Sequence, residues 1–355
     1  MSTKPVPIDR VHGGNAPDGV IDFSASINPL GPPPGAITAY QSAIARVTSY
    51  PPAKSGALEA RLARWLRVAP ENVIAGNGTT QLIYLLARVL EPARPFVVIP
   101  TFSEIANALA GVGMPPEAIQ LAPDRAYQLD IQQIERALAD HAGAIFIGQP
   151  NSPTGTMLSS DEVRGVAAQC ADRGCWCVLD EAFIDFVADA ESAATLVSHN
   201  PRLIVLRSLT KSFAIPGLRL GCAVADREVA AALRDAIEPW SINVVAESVG
   251  LACLDDAADY LQRAREVVAT ERAYLSDALA AIQGLRAFPS VANFLMIAVA
   301  NETAPGAFAA YVLLRGVAVR DLRTMPGCTA GLYRIGIRNH ADNERLVSAA
   351  SRWRT

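Results

Sequence analysis

Residues 144–180 read AIFIGQPNSPTGTMLSSDEVRGVAAQCADRGCWCVLD. Two short apolar runs, AIFIG and CWCVLD, flank EVRGVAAQCADRG, whose apolar positions recur at helical spacing. Strand, helix and strand in that order make a crossover unit, and such units join parallel neighbours. Neither apolar run alternates with polar residues, so both strands are expected to be buried on both faces.

The same rhythm extends in both directions. Upstream, LEARLARWLRV (58–68), TTQLIYLLARVL (79–90) and IQQIERALADH (131–141) read as helices, and NVIAG (72–76) and FVVIP (96–100) as strands. Downstream, LIVLRS (203–208) is a further strand. After PWSINVVAE (239–247) the texture changes: residues 246–283 are helical in pattern, followed by the short strands NFLMIAVA, GVAVRDL and LYRIGIR. The expected fold is α/β, with a mostly parallel sheet of the seven-stranded type in a large domain and a smaller α+β domain at the C-terminus. The expected divisions are an N-terminal arm at 1–25, a large domain at 26–245 and a small domain at 246–355.

Composition narrows the function. The chain has 355 residues, 51% hydrophobic, and a net charge of −4. That balance offers no basic excess for nucleic acid. No apolar run approaches the roughly 20 residues that span a bilayer, so neither nucleic acid nor membrane is an expected partner. The opening MSTKPVPIDRVHGGN has no apolar core and does not read as a signal peptide; a cytoplasmic location is expected. The six cysteines include no CxxC, and the four histidines show no metal-ligand spacing, so packed thiols and no metal site are expected.

Ligands of a parallel sheet sit at the carboxyl ends of its strands, so the polar residues there should converge. After NVIAG come Gly78, Thr79 and Thr80 at a helix start, where free N–H groups bind phosphate. After FVVIP comes Phe102, after AIFIG comes Asn151, and after CWCVL come Asp180 and Phe183. After LIVLR come Ser208 and Lys211, with Arg219 downstream. Singly each is weak: NGTT also caps a helix, and NSPTG also makes a turn. Lys211 lies among Phe213, Ala214, Ile215 and Leu218, where an ammonium is poorly solvated and a neutral amine is favoured. Such an amine attacks aldehydes. Together the groups fit pyridoxal 5'-phosphate: Lys211 for its aldehyde, Asp180 for its ring nitrogen, and Asn151 for its phenolic oxygen. Thr79, Thr80, Ser208 and Arg219 would take its phosphate, and Phe102 would stack on its ring.

The run Gly78…Asn151-Ser-Pro-Thr-Gly…Asp180-Glu-Ala…Ser208-Leu-Thr-Lys211…Arg219 resembles the fold-type I pyridoxal phosphate enzymes of the class I/II aminotransferase group. The resemblance covers nearly the whole chain. It implies a homodimer with shared active sites, in which Tyr50 reaches the neighbouring subunit's cofactor phosphate and Arg334 pairs with the substrate α-carboxylate. His12-Gly-Gly-Asn, DFSASINPLGPP, DEAFIDF, PWSINVVAE and Arg338 resemble the threonine-phosphate decarboxylase branch, with histidinol-phosphate aminotransferases as near relatives. The branch implies a small anionic amino acid as substrate; its phosphate is then expected on Arg323, with His12 and Asn28, and its carboxylate on Arg334, with Arg338 beside it.

Two features depart from the branch. Only Ala16 to Ile21 separate HGGN from DFSASINP, where a longer spacer is usual, and Phe183 stands where many aminotransferases carry a tyrosine. A transaminase acting on a phosphorylated or aromatic amino acid is the rival reading. The effector module of a transcription regulator is another, but the short arm has no room for a helix-turn-helix.

Overall fold

The computed structural model of the protein describes residues 5–353; residues 1–4 of the expected arm lie outside them. After a short strand, β1 (Ile21–Asp22), the chain alternates strand and helix through β2 (Val73–Gly76), β3 (Pro95–Ile99), β4 (Glu117–Gln120), β5 (Ala144–Gly148), β6 (Trp176–Asp180) and β7 (Leu203–Ser208). β8 (Gly221–Val224) completes a seven-stranded sheet in the order β2-β8-β7-β6-β5-β3-β4. β8 runs antiparallel to both its neighbours, and the remaining pairs are parallel. Its direction follows from its connection. Between β7 and β8 the chain forms only the helix Leu209–Ser212 and a turn of 3-10 helix at Pro216–Leu218. That is too little structure to carry it back across the sheet for a parallel pairing.

Alternate residues of each central strand go to opposite cores, as unbroken apolar runs require. Ile145 and Ile147 pack with Leu62, Leu179 and Val205 on one face. Phe146 packs with Leu82, Val178 and Ile204 on the other. Each such side chain contributes about 1.5–3 kcal/mol by leaving water. Cys170, Cys175, Cys177, Cys222 and Cys253 are buried free thiols, which is how a short apolar side chain behaves in a core.

The C-terminal strands are β9 (Leu285–Ala287), β10 (Phe294–Val299), β11 (Val317–Ala318), β12 (Arg320–Asp321) and β13 (Leu332–Gly336). Four form an antiparallel sheet, β12-β13-β10-β9, while β11 pairs in parallel with β1. Phe23, just after β1, is consequently buried in the core of this second sheet with Leu275, Phe308 and Leu346. The helix Ala257–Ala280 joins the two layers. Its Ala264 and Val268 meet Phe183, Phe186 and Phe294, which fixes β10 and β13 opposite the carboxyl ends of β5 and β6. Among the described residues no helix is long and apolar enough to cross a membrane.

Candidate active site

The carboxyl ends of β3, β5, β6 and β7 and the helix after β2 open onto one cavity. Of the expected site residues, Thr79, Thr80, Phe102, Asp180, Phe183, Ser208, Lys211, Arg219, Arg334 and His12 line it.

One end of the cavity is built for an anion. The helix Gly78–Leu90 begins there, and the Asn77 side chain gives it no cap, leaving its first N–H groups to a ligand. Gly78 has φ +77°, and a Cβ on it would stand 2.6 Å from the Arg219 guanidinium. Only glycine allows that approach. The Ser208 and Thr210 hydroxyls, 2.7 Å apart, complete this end. Thr210 lines the cavity too, although sequence reading assigned it nothing.

Lys211 and Asp180 occupy the centre. Burial pushes the Lys211 amine down to about 8; Arg334 and Arg219 push the same way, and Asp180 opposes them. Burial pushes the Asp180 carboxyl up to about 6 against a hydrogen bond from the Ala182 N–H and the charge of Lys211. Arg334 forms the opposite wall. It donates to Ser152 Oγ at 2.8 Å and to the Ser24 carbonyl at 2.7 Å. Its buried Nε has no partner within the protein. Burial pulls its basicity down to about 10, with the charge of Arg320 adding to the effect.

Besides Gly78, five expected site residues are not part of this lining. Asn151 is 3% exposed. Its amide donates to the Pro100 carbonyl and to Thr154 Oγ1, and its Oδ1 accepts from Thr101. With those groups spent it does not reach the cavity; the next residue, Ser152, does. Asn28 donates to the Ser212 carbonyl and accepts from the Leu30 N–H, so it braces the lysine-bearing helix from behind. Arg323 has a side chain 47% exposed, spent on Asp321 and the Pro305 carbonyl. The arginine that enters the cavity is Arg320, which donates to the Val11 carbonyl and lies 3.6 Å from Asp9. Arg338 is held by Asp342 at 2.8 Å and by the Asp22 carbonyl, tying the last helix to β1. Tyr50 is 83% exposed and stacks near Trp240, outside the cavity of its own chain.

A doubly layered fold that gathers a lysine, a buried carboxylate and an anion cradle at its strand ends is that of a fold-type I pyridoxal phosphate enzyme. Residues 18–349 match the family model "Aminotransferase class I and II", and the chain belongs to that family. It is 34% identical over 352 residues to the threonine-phosphate decarboxylase of Salmonella typhimurium, covering 96% of each chain. It is 32% identical over 348 residues to a histidinol-phosphate aminotransferase of Symbiobacterium thermophilum, covering 97% of this chain and 93% of that one. The histidinol-phosphate aminotransferase structure from Clostridium acetobutylicum superposes with a TM-score of 0.86 at 24% identity, over 94% of this chain and 98% of that one.

The family cofactor is pyridoxal 5'-phosphate, and the cavity suits it: an uncapped helix start, two hydroxyls and a guanidinium for a phosphate, and a depressed amine for an aldehyde. Gly78→Ala tests the cradle. The alanine Cβ would displace the Arg219 guanidinium from the phosphate end, and a hydrogen bond to a charged group is worth about 1.5–3 kcal/mol. Equilibrium dialysis should show cofactor affinity lower by about tenfold or more, since 1.4 kcal/mol is tenfold. Unchanged affinity would place the phosphate elsewhere.

Proposed function

We propose that the protein decarboxylates an amino acid carrying a second anionic group, converting L-threonine O-3-phosphate to (R)-1-amino-2-propanol O-2-phosphate. The observation that carries this reading is the pair of guanidinium groups on the small-sheet wall, Arg334 and Arg320, both opening on the cavity. The cofactor phosphate has its own cradle, so these two cations serve the substrate, one for its carboxylate and one for its phosphate. The relatives named above act on phosphorylated compounds, in keeping with this.

When bound, the cofactor supplies an electron sink for the pair released at the substrate's α-carbon. The residues of this chain orient the reaction. Arg334, itself fixed by Ser152 and Ser24, would hold and orient the substrate carboxylate, and Arg320 would hold its phosphate. Asp180 would face the ring nitrogen and favour its protonated form. Phe102 and Phe183 close the faces of the site. Lys211 returns a proton to the α-carbon after carbon dioxide leaves, balancing the loss of the carboxylate.

The reading includes a homodimer. Ile37, Tyr40, Ile44, Val47 and Tyr50 are all large, apolar and exposed within one short segment, the kind of surface a second copy covers. Tyr50 would then meet the partner's cofactor phosphate. The decisive experiment incubates holoenzyme with phosphothreonine, phosphoserine, phosphonoalanine and histidinol phosphate, with and without a keto-acid acceptor. Carbon dioxide and aminopropanol phosphate formed without acceptor are expected. Turnover that requires the acceptor would make the protein an aminotransferase instead.

A further inference from the structure

Behind His12, outside the cavity lining, stands a buried acidic group. Glu104 opens the helix Glu104–Gly111 and is 8% exposed. Its Oε1 lies 2.9 Å from His12 Nε2 and accepts from Asn107 Nδ2 at 2.9 Å. Its Oε2 accepts from the Tyr84 hydroxyl at 2.7 Å. Burial alone would raise this carboxyl, but the bonds from Tyr84, Asn107 and His12 outweigh burial and hold it below the usual carboxylate range. Asn107 also donates to the Asp9 carbonyl, so the same cluster pins the arm over the cavity.

An ionised carboxylate only accepts, so His12 Nε2 must carry a proton toward Glu104. That leaves Nδ1 as the remaining ring nitrogen. On a neutral ring Nδ1 is a lone pair and repels an anion; only the imidazolium can donate to Glu104 and to an anion together. The charged and titratable groups around the pair are Glu104 and Tyr84 from their two helices, Asp9 and Arg10 on the arm, and Arg320 from β12. Phe102 shields the ring on one side, at 5.9 Å between centroids.

We propose that Glu104 is a positioning residue that keeps His12 as a proton-loaded donor for the substrate's phosphate. The preference for phosphorylated over plain amino acids then depends on Glu104 and on pH. This rests on the function proposed above and names the group that sets its selectivity.

The test mixes holoenzyme rapidly with O-phospho-L-threonine and with L-threonine and follows the cofactor's visible spectrum before turnover, from about pH 5 to 8, the range in which histidine changes charge. Wild type and E104Q receive the same ligands, so the phosphate's own ionisation cancels between them. Glutamine keeps the shape and loses the charge. Phosphothreonine should bind E104Q about tenfold more weakly at neutral pH, the scale of one hydrogen bond to a charged group. The loss should shrink as the pH is lowered, and threonine affinity should stay within about twofold. In an H12N background E104Q should add nothing, because the carboxylate acts through the ring. The inference is overturned if E104Q follows the wild-type pH profile, if it weakens both ligands equally, or if its cost persists without His12. A wild type that shows no preference for phosphothreonine would overturn the proposed function, and this inference with it.

Discussion

Lys211→Ala should leave a folded protein with kcat lower by more than about 10⁴, since in the proposed mechanism the substitution removes both a covalent anchor and a proton donor, the latter alone worth about 10²–10⁴. The side chain is short of water and faces two guanidinium groups, Arg334 and Arg219. Its ammonium is therefore disfavoured, and truncation relieves that cost instead of adding one, so stability should hold or rise. Two measurements separate this lysine from a merely structural one. The visible absorbance of lysine-linked cofactor should vanish in the variant, although the cradle of Gly78, Ser208 and Arg219 still retains some cofactor. In wild type stripped of cofactor, recapture should quicken as pH rises through about 8, because only the neutral amine attacks and this amine loses its proton near there. Retention of the absorbance by the variant would mean that another lysine carries the cofactor.

What was legible in the sequence, and what was not, follows from how local each signal is. The central strands declare themselves because burial on both faces demands an unbroken apolar run, as in AIFIG. β4 reads EAIQ and is half-exposed at the sheet edge, so it carries no such signal. β1 and β11 are two-residue pairings across most of the chain and exist only through tertiary contact. Asp180 and Ser208 were legible because they end their strands, which aim them, and Lys211 follows within one helical turn. Loop residues were not. Asn151 and Ser152 are neighbours, yet one points to Pro100 and Thr154 and the other to Arg334.

The arginines illustrate the same limit. Arg320 is set by β12 and enters the cavity, whereas Arg323 lies just past the strand and finds Asp321 and Pro305. Arg338 has Asp342 one helical turn onward, a competitor visible in sequence as an i,i+4 pair. Glu104 is the instructive omission: its meaning lies in His12, Tyr84 and Asn107, brought together from three separate segments.

Asp180→Asn should produce a different failure from the lysine variant. The carboxylate sits at the end of β6 with its Oδ1 accepting from the Ala182 N–H, a geometry asparagine can keep through its own carbonyl oxygen. Lys211 remains, so the covalent link to the cofactor and its visible absorbance should persist. What disappears is the anion that, in the proposed mechanism, would hold a proton on the ring nitrogen. A buried, hydrogen-bonded charge pair broken on one side costs about 2–5 kcal/mol, which lowers kcat by about 30-fold to several thousandfold at 1.36 kcal/mol per decade. The pH dependence carries a sign as well. Burial raises this carboxyl to about 6, so in wild type the working, ionised form is lost as pH falls through that region. The positive ring nitrogen stabilises the carboxylate further and can only move this acid limb to lower pH. Asparagine does not titrate, so the variant should lose that limb while keeping the alkaline one. A variant of wild-type kcat, or one with the acid limb intact, would remove Asp180 from the chemistry and leave it as a residue of the strand end alone.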